Sequence, residues 1–157
     1  VVRDGGWVVT TTNYAVAMTV LSIRFSDPAH HRRLKAAAER TKVAMSPLAE
    51  ELIEEGLRMR EHPLVVFRDG PAGRRPALIG GPEIVDVIGA IAGGDVPTAR
   101  RRQRAAELLD LSLAAVDAAL EYYGAFPEEV DAELRARQRM ADELEERWRR
   151  GRQLLDS

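Results

Sequence analysis

The sequence predicts a mainly α-helical protein with one short strand ahead of its first helix and a small β-hairpin between two helical stretches. Three observations carry that expectation. Residues 20–25 (VLSIRF) alternate, with Leu21, Ile23 and Phe25 on one side and Val20, Ser22 and Arg24 on the other. From Asp27 onward, apolar residues recur at helical spacing, broken where Pro and Gly pairs fall. Between residues 64 and 80 the pattern changes to short apolar runs around Asp69–Gly70–Pro71 and Gly73, which is hairpin turn chemistry.

The elements follow in order. Residues 1–17 hold few charges and no helical period; their Thr and Val residues favour extended chain. Met18 stands just before the first patterned segment, so one reading makes it the natural start and 1–17 an upstream extension. After the strand, Asp27 is placed to cap a helix and Pro28 fits its first position. His30, Leu34, Ala37, Ala38 and Thr41 form one stripe of that helix. His30 is expected to be a partly buried, hydrogen-bonded side chain. Ser46–Pro47 repeats the cap logic for a second helix, whose apolar side is Leu48, Leu52, Ile53, Gly56, Leu57 and Met59. His62–Pro63 ends it. Val65–Phe67 and Ala77–Ile79 read as two short strands. A helix with Ile84, Val85, Val87, Ile88 and Ile91 stops at Gly93–Gly94. Another runs from about Pro97 to Leu109, Ser112 caps the next, and Phe126–Pro127 opens a long last helix.

Composition narrows the chemistry. The 157 residues contain no Cys and three His, so disulfide scaffolds, zinc fingers and thiol catalysis are excluded. No nucleophile, base and orienting acid can be grouped, no Gly-rich loop has phosphate-binding spacing, and no metal constellation emerges; neither an enzyme nor a cofactor is expected. No apolar run spans a membrane and no leader pattern is apparent, so a soluble cytoplasmic protein is expected. The net charge is −2, with 18–62 at +1 and 63–130 at −3. DNA contact must then come from a few placed groups and backbone amides, not from a general field.

A lone strand cannot satisfy its own backbone, and residues 18–61 are too few to bury a core. Two copies pairing their strands antiparallel would solve both problems. The run SIRFSDPAHHRRLKAAAERTKVAMSPLAEELIEEGL resembles the ribbon-helix-helix (CopG/Arc/MetJ-like) DNA-binding family over about residues 18–61. The resemblance implies an intertwined dimer whose two-stranded antiparallel ribbon enters the major groove. Val20, Ser22 and Arg24 would then face base edges, with Arg24 able to grip guanine bidentately. It also implies a phosphate held at the start of the second helix by Ser46 and the amides after it, with Lys42 nearby.

The second half resembles a domain-of-unknown-function family that serves as the antitoxin partner of PIN-like (VapC-type) ribonuclease toxins. The matching stretches are GRRPALIGG-PEIVDVIGAIAGGD and LDLSLAAVDAALEYYGAFPEEVDAEL, over about residues 63–134. The family's Thr-Arg-Ile step is replaced here by Gly81–Pro82–Glu83–Ile84. Helices 97–109 and 113–124 could form a helix-turn-helix, with the Arg100–Arg104 run as a second DNA footprint. Against that, the run lies on the first helix of the pair, in an acidic segment, and a solvated face is the simpler reading.

In residues 128–150, Val130, Leu134, Ala141, Leu144 and Trp148 make a coiled-coil-like seam, interrupted at Arg137. Glu133–Arg137, Glu143–Arg147 and Glu145–Arg149 support the helix at i,i+4. By analogy with antitoxins that end in a toxin-binding helix, Leu144, Trp148, Arg149, Arg150, Arg152, Leu154 and Leu155 are the expected partner contacts; self-association or a solvated tail is the alternative.

The chain therefore divides into an extension (1–17), a ribbon-helix-helix DNA-binding and dimerisation domain (18–62), a small hairpin plus helical antitoxin domain (63–127) and a C-terminal helix (128–157). The expected function is a type II toxin–antitoxin repressor. It would bind its own operator DNA and neutralise a PIN-type ribonuclease toxin encoded beside it. The alternative is a free-standing ribbon-helix-helix transcription regulator whose C-terminal helices oligomerise or sense a ligand.

Overall fold

The computed structural model describes residues 22–71 and 73–153. Among these are six helices and a two-stranded antiparallel sheet: α1 (Pro28–Thr41), α2 (Met45–Glu61), β1 (Val65–Gly70), β2 (Gly73–Leu78), α3 (Ile84–Ala92), α4 (Thr98–Leu109), α5 (Leu113–Ala125) and α6 (Pro127–Gln153). They fall into two compact units that part between Val43 and Ala44.

The first unit holds α1. The Asp27 carboxylate accepts from the Ala29 amide at 2.7 Å, and Pro28 opens the helix, as its cap chemistry predicts. Lys42 closes α1 in the left-handed region at φ 57°, its N–H donating to the Ala38 carbonyl. Residues 22–25 carry no regular secondary structure in the single chain. Phe25 is exposed and meets the His31 ring edge-on, with centroids 6.0 Å apart. His30 is exposed too, contrary to the expectation that it would be partly buried.

The second unit runs from α2 to α6. Its core is Val65 and Leu78 of the hairpin, Ile84, Val85, Val87 and Ile88 of α3, Ala106 of α4, Val116, Ala119 and Tyr122 of α5, and Val130 of α6. Helix α3 is apolar on nearly every side because α4, α5 and α6 all pack around it. The strands pair from Val65↔Leu78 to Gly70↔Gly73, longer than the sequence pattern suggests. Ile79 falls outside β2; its amide donates to the Leu64 carbonyl. Gly94 has φ +80°, a conformation that glycine adopts without strain, and the Arg104 guanidinium lies 3.0 Å from where a Cβ would stand. The Ser112 hydroxyl accepts from the Ala115 amide and caps α5 as expected.

One start is corrected. Helix α2 begins at Met45 with Ala44 as its cap residue, so Ser46 lies inside the first turn and makes no side-chain cap bond. Alanine has no oxygen to offer; the fold sets this start, not a cap. The first turns of α6 also belong to the core, since Val130 is buried and Leu134 packs against it. The part of α6 that stands out from the unit starts after Arg137, where every residue from 138 to 153 is exposed.

Candidate nucleic-acid and partner-binding surfaces

Of the five side chains expected at DNA, Val20 lies outside the described residues. Ser22 and Arg24 lie in the segment before α1, and both are exposed. Lys42 is exposed at the end of α1 and Ser46 is exposed in the first turn of α2. Because α2 starts at Met45, Pro47 occupies its third position and contributes no N–H. An anion at this end would find no N–H at Pro47 and would depend on the Met45 and Ser46 amides with that of the cap residue Ala44.

The two flanks of α2 differ sharply. One flank is bonded to its own unit. Glu55, 8% exposed, takes a two-pronged bond from Arg74 of β2, at 2.5 and 2.8 Å. Arg58 donates to Glu54 (2.7 Å), the Tyr122 hydroxyl (2.9 Å) and Glu129 (2.6 Å), and its guanidinium lies 4.0 Å over the Phe126 ring. His62 meets the edges of Tyr122 and Phe126. Burial alone would ease the proton off Arg58, but its bonds to Glu129, Glu54 and Tyr122 outweigh that and hold the cation more firmly than usual. For Arg74, the Glu55 bond dominates and acts in the same direction. Burial pushes the Tyr122 hydroxyl from 10.0 up to about 12, against the opposing pull of Arg58.

The other flank is bare. Leu48 is buried, but Leu52 (45% exposed), Ile53, Leu57 and Met59 face solvent, and nothing lies within 4 Å of the Gly56 Cβ position. An amphipathic helix usually buries its apolar flank and leaves the polar one wet. Here polar side chains make the internal joint and apolar ones face outward.

The Arg100–Arg104 run is largely used up inside the fold. Arg101 donates to the Val96 carbonyl, Arg102 grips Asp117 at 2.5 Å through both prongs, and Arg104 reaches the Ala90 and Gly93 carbonyls. These bonds tie α4 to α3 and α5. Helix α5 would be the reading helix of a helix-turn-helix, yet its only charges are Asp117 and Glu121. Both observations count against DNA contact at this pair. The sequence hinted at this through its acidic balance, but the individual carbonyl partners had no signal in it.

The beginning of α6 is fixed by ions. Arg137 is held by Glu133, Asp86 and Glu83, and Arg75 of β2 pairs with Glu133. Its bonds with Glu133, Asp86 and Glu83 outweigh the effect of burial and keep Arg137 charged. This explains the polar break in the seam, which spacing alone left unassigned. Beyond it, Met140, Leu144 and Trp148 are exposed, Trp148 by 61%. Arg149 pairs with Glu145 at 2.6 Å, Arg150 approaches Glu146 at 4.0 Å, and Arg152 stacks 5.0 Å from the Trp148 ring. Leu154 and Leu155 lie outside the described residues.

Among the described residues no cluster of His, Asp and Glu could hold a metal ion, and no helix is long and apolar enough to cross a membrane. Comparison with protein-family models, curated proteins and solved structures finds no match to this chain.

Proposed function

We propose that the protein is a dimeric ribbon-helix-helix DNA-binding antitoxin that represses its own operon in the cytoplasm and neutralises a PIN-type ribonuclease toxin. It is a binding protein and not an enzyme. The observation that carries the reading is α2, fastened to its own unit by ions while Leu52, Ile53, Leu57 and Met59 stay bare. A second copy covering that face would let the segments before α1 pair as a ribbon. A ribbon strand finds its ladder partner in the other chain, which fits an irregular 22–25 segment in one chain alone. Ser22 and Arg24 would then read bases, two copies of each by symmetry, with Lys42 and Ser46 near the phosphates.

The toxin reading rests on the exposed part of α6. It offers Leu144, Trp148, Arg149, Arg150 and Arg152 on a helix already formed, which lowers the ordering cost of binding. Trp and Arg are frequent hot-spot residues.

Co-expression with the neighbouring gene tests the whole. The full chain should rescue cells from that gene's toxicity and co-purify with its product. A chain ending at Gln138 keeps Val130, Leu134 and Arg137 in place, so it should bind upstream DNA yet fail to rescue. Rescue by the shortened chain would move toxin contact into the body of the second unit. Arg24→Ala should lower operator affinity by about 1–3 kcal/mol and relax specificity; unchanged binding would remove Arg24 from the groove.

A further inference from the structure

We infer that the exposed part of α6 pairs antiparallel with α6 of a second copy, and that Trp148 of each copy seats over Arg137 of the other. The surface is one continuous track. Leu134 and Arg137 line an open groove of about 510 Å³ together with Pro82, Gly89, Leu108 and Leu109. Ala141, Leu144 and Trp148 continue the same helix face outward from it, at steps of 4, 3 and 4. Leu108, at the groove's rim, is 62% exposed. A Cβ at Gly89 would lie 3.4 Å from Leu134, so the absent side chain keeps α3 and α6 close there.

The occupant follows from the order of side chains. Leu134, Ala141 and Trp148 take position a of a heptad, and Arg137 and Leu144 take position d. A parallel, in-register pair would set Arg147 beside Arg152 of the other copy. An antiparallel pair matches a with d, which puts Trp148 opposite Arg137 and Ala141 opposite Leu144. Its flanking pairs are then Gln138 with Glu145 and Met140 with Arg147, and no like charges meet. Sliding the pair one heptad outward centres it on residue 146 and sets Glu145 on Glu145 and Arg147 on Arg147. The chosen register alone combines a large ring with the groove and avoids both clashes.

Arg137 is a suitable seat for an indole ring. Glu133, Asp86 and Glu83 fix its guanidinium in place and offset its charge. A planar guanidinium held still is a favourable partner for an aromatic face. The polar break in the seam thus becomes its recognition point.

This pairing stands apart from the proposed function. Only its consequence rests on that reading: toxin and second copy would compete for Leu144 and Trp148.

The chain has no cysteine, so introduced thiols report the pairing cleanly. Full-length Ala141→Cys and Leu144→Cys variants are to be oxidised separately and as a mixture. The expected result is a crosslink between the two variants in the mixture, with little from either alone. Adding Trp148→Ala to both should weaken that pairing about thirtyfold, because it removes the aromatic anchor towards each end. Far-UV circular dichroism confirms that each variant is folded. A crosslink of Leu144→Cys with itself would mean parallel pairing and overturn the proposal. No crosslink, or one indifferent to Trp148→Ala, would overturn it as well. None of these readouts involves toxin or DNA, so they fail or succeed independently of the antitoxin reading.

Discussion

Arg58 donates to three acceptors on three helices and also covers the Phe126 ring. Tyr122 is the most enclosed of these partners, with no exposed surface. Its hydroxyl is raised from 10.0 to about 12, chiefly by burial. A raised tyrosine favours the protonated, folded form. The stability this contributes is complete below pH 10 and is lost as pH rises from 10 toward 12. Chemical denaturation at a series of pH values should show a decline on the order of 2 kcal/mol across that window. Tyr122→Phe should flatten the decline while costing a hydrogen bond at neutral pH. An unchanged slope in the variant would assign the decline to other groups.

At the scale of elements, a two-pronged ion pair between Glu55 and Arg74 is the strongest polar tie between α2 and the hairpin, with Glu51 also within 3.9 Å of Arg74. Glu55 is almost wholly enclosed, and Arg74 is its main partner. Arg74→Met strands that carboxylate and should destabilise the chain by about 3 kcal/mol. Replacing both residues by Met removes the stranded charge, and the double variant should be clearly more stable than Arg74→Met alone. Equal stabilities in urea melts would mean that the carboxylate finds water once Arg74 is gone. The outer part of α6 works differently. Its pairs, Glu143–Arg147, Glu145–Arg149 and Glu146–Arg150, are exposed and run from acid to base at i,i+4. Each adds only about 0.3–0.5 kcal/mol, so they favour the helix without fixing its partner.

At the scale of the whole molecule, the bare flank of α2 is the unresolved surface of a single chain. Leu52, Ile53, Leu57 and Met59 are exposed along one helix, and neighbouring exposed apolar side chains of this kind mark interaction surfaces. Leu52→Glu places a charge in that flank without touching Glu55 or Arg58. Sedimentation equilibrium should show weakened self-association through this face, with the helical content kept. If association is unaffected, the proposed ribbon-helix-helix dimer loses its main support.

Much of the element order was legible in the sequence because local chemistry decides it. Asp27–Pro28, Ser112 and Gly93 mark helix ends wherever they stand, and the Val65 and Leu78 runs read as strands around a glycine-rich turn. Helix starts without a capping oxygen were less legible, as at Ala44, because packing sets them. The i,i+4 pairs of the last helix were legible, Glu133–Arg137 among them, but the long-range use of each arginine was not. Arg58, Arg74, Arg102, Arg104 and Arg137 look alike in a chain rich in arginine, and their acceptors are between 4 and 71 residues away. The sequence by itself determined the order of the six helices and the hairpin among the described residues. Only the tertiary structure decided which flank of α2 is spent internally, which cations remain on the surface and where α6 leaves the core. Those outcomes depend on charges meeting across the fold, and no local pattern encodes a meeting between distant side chains.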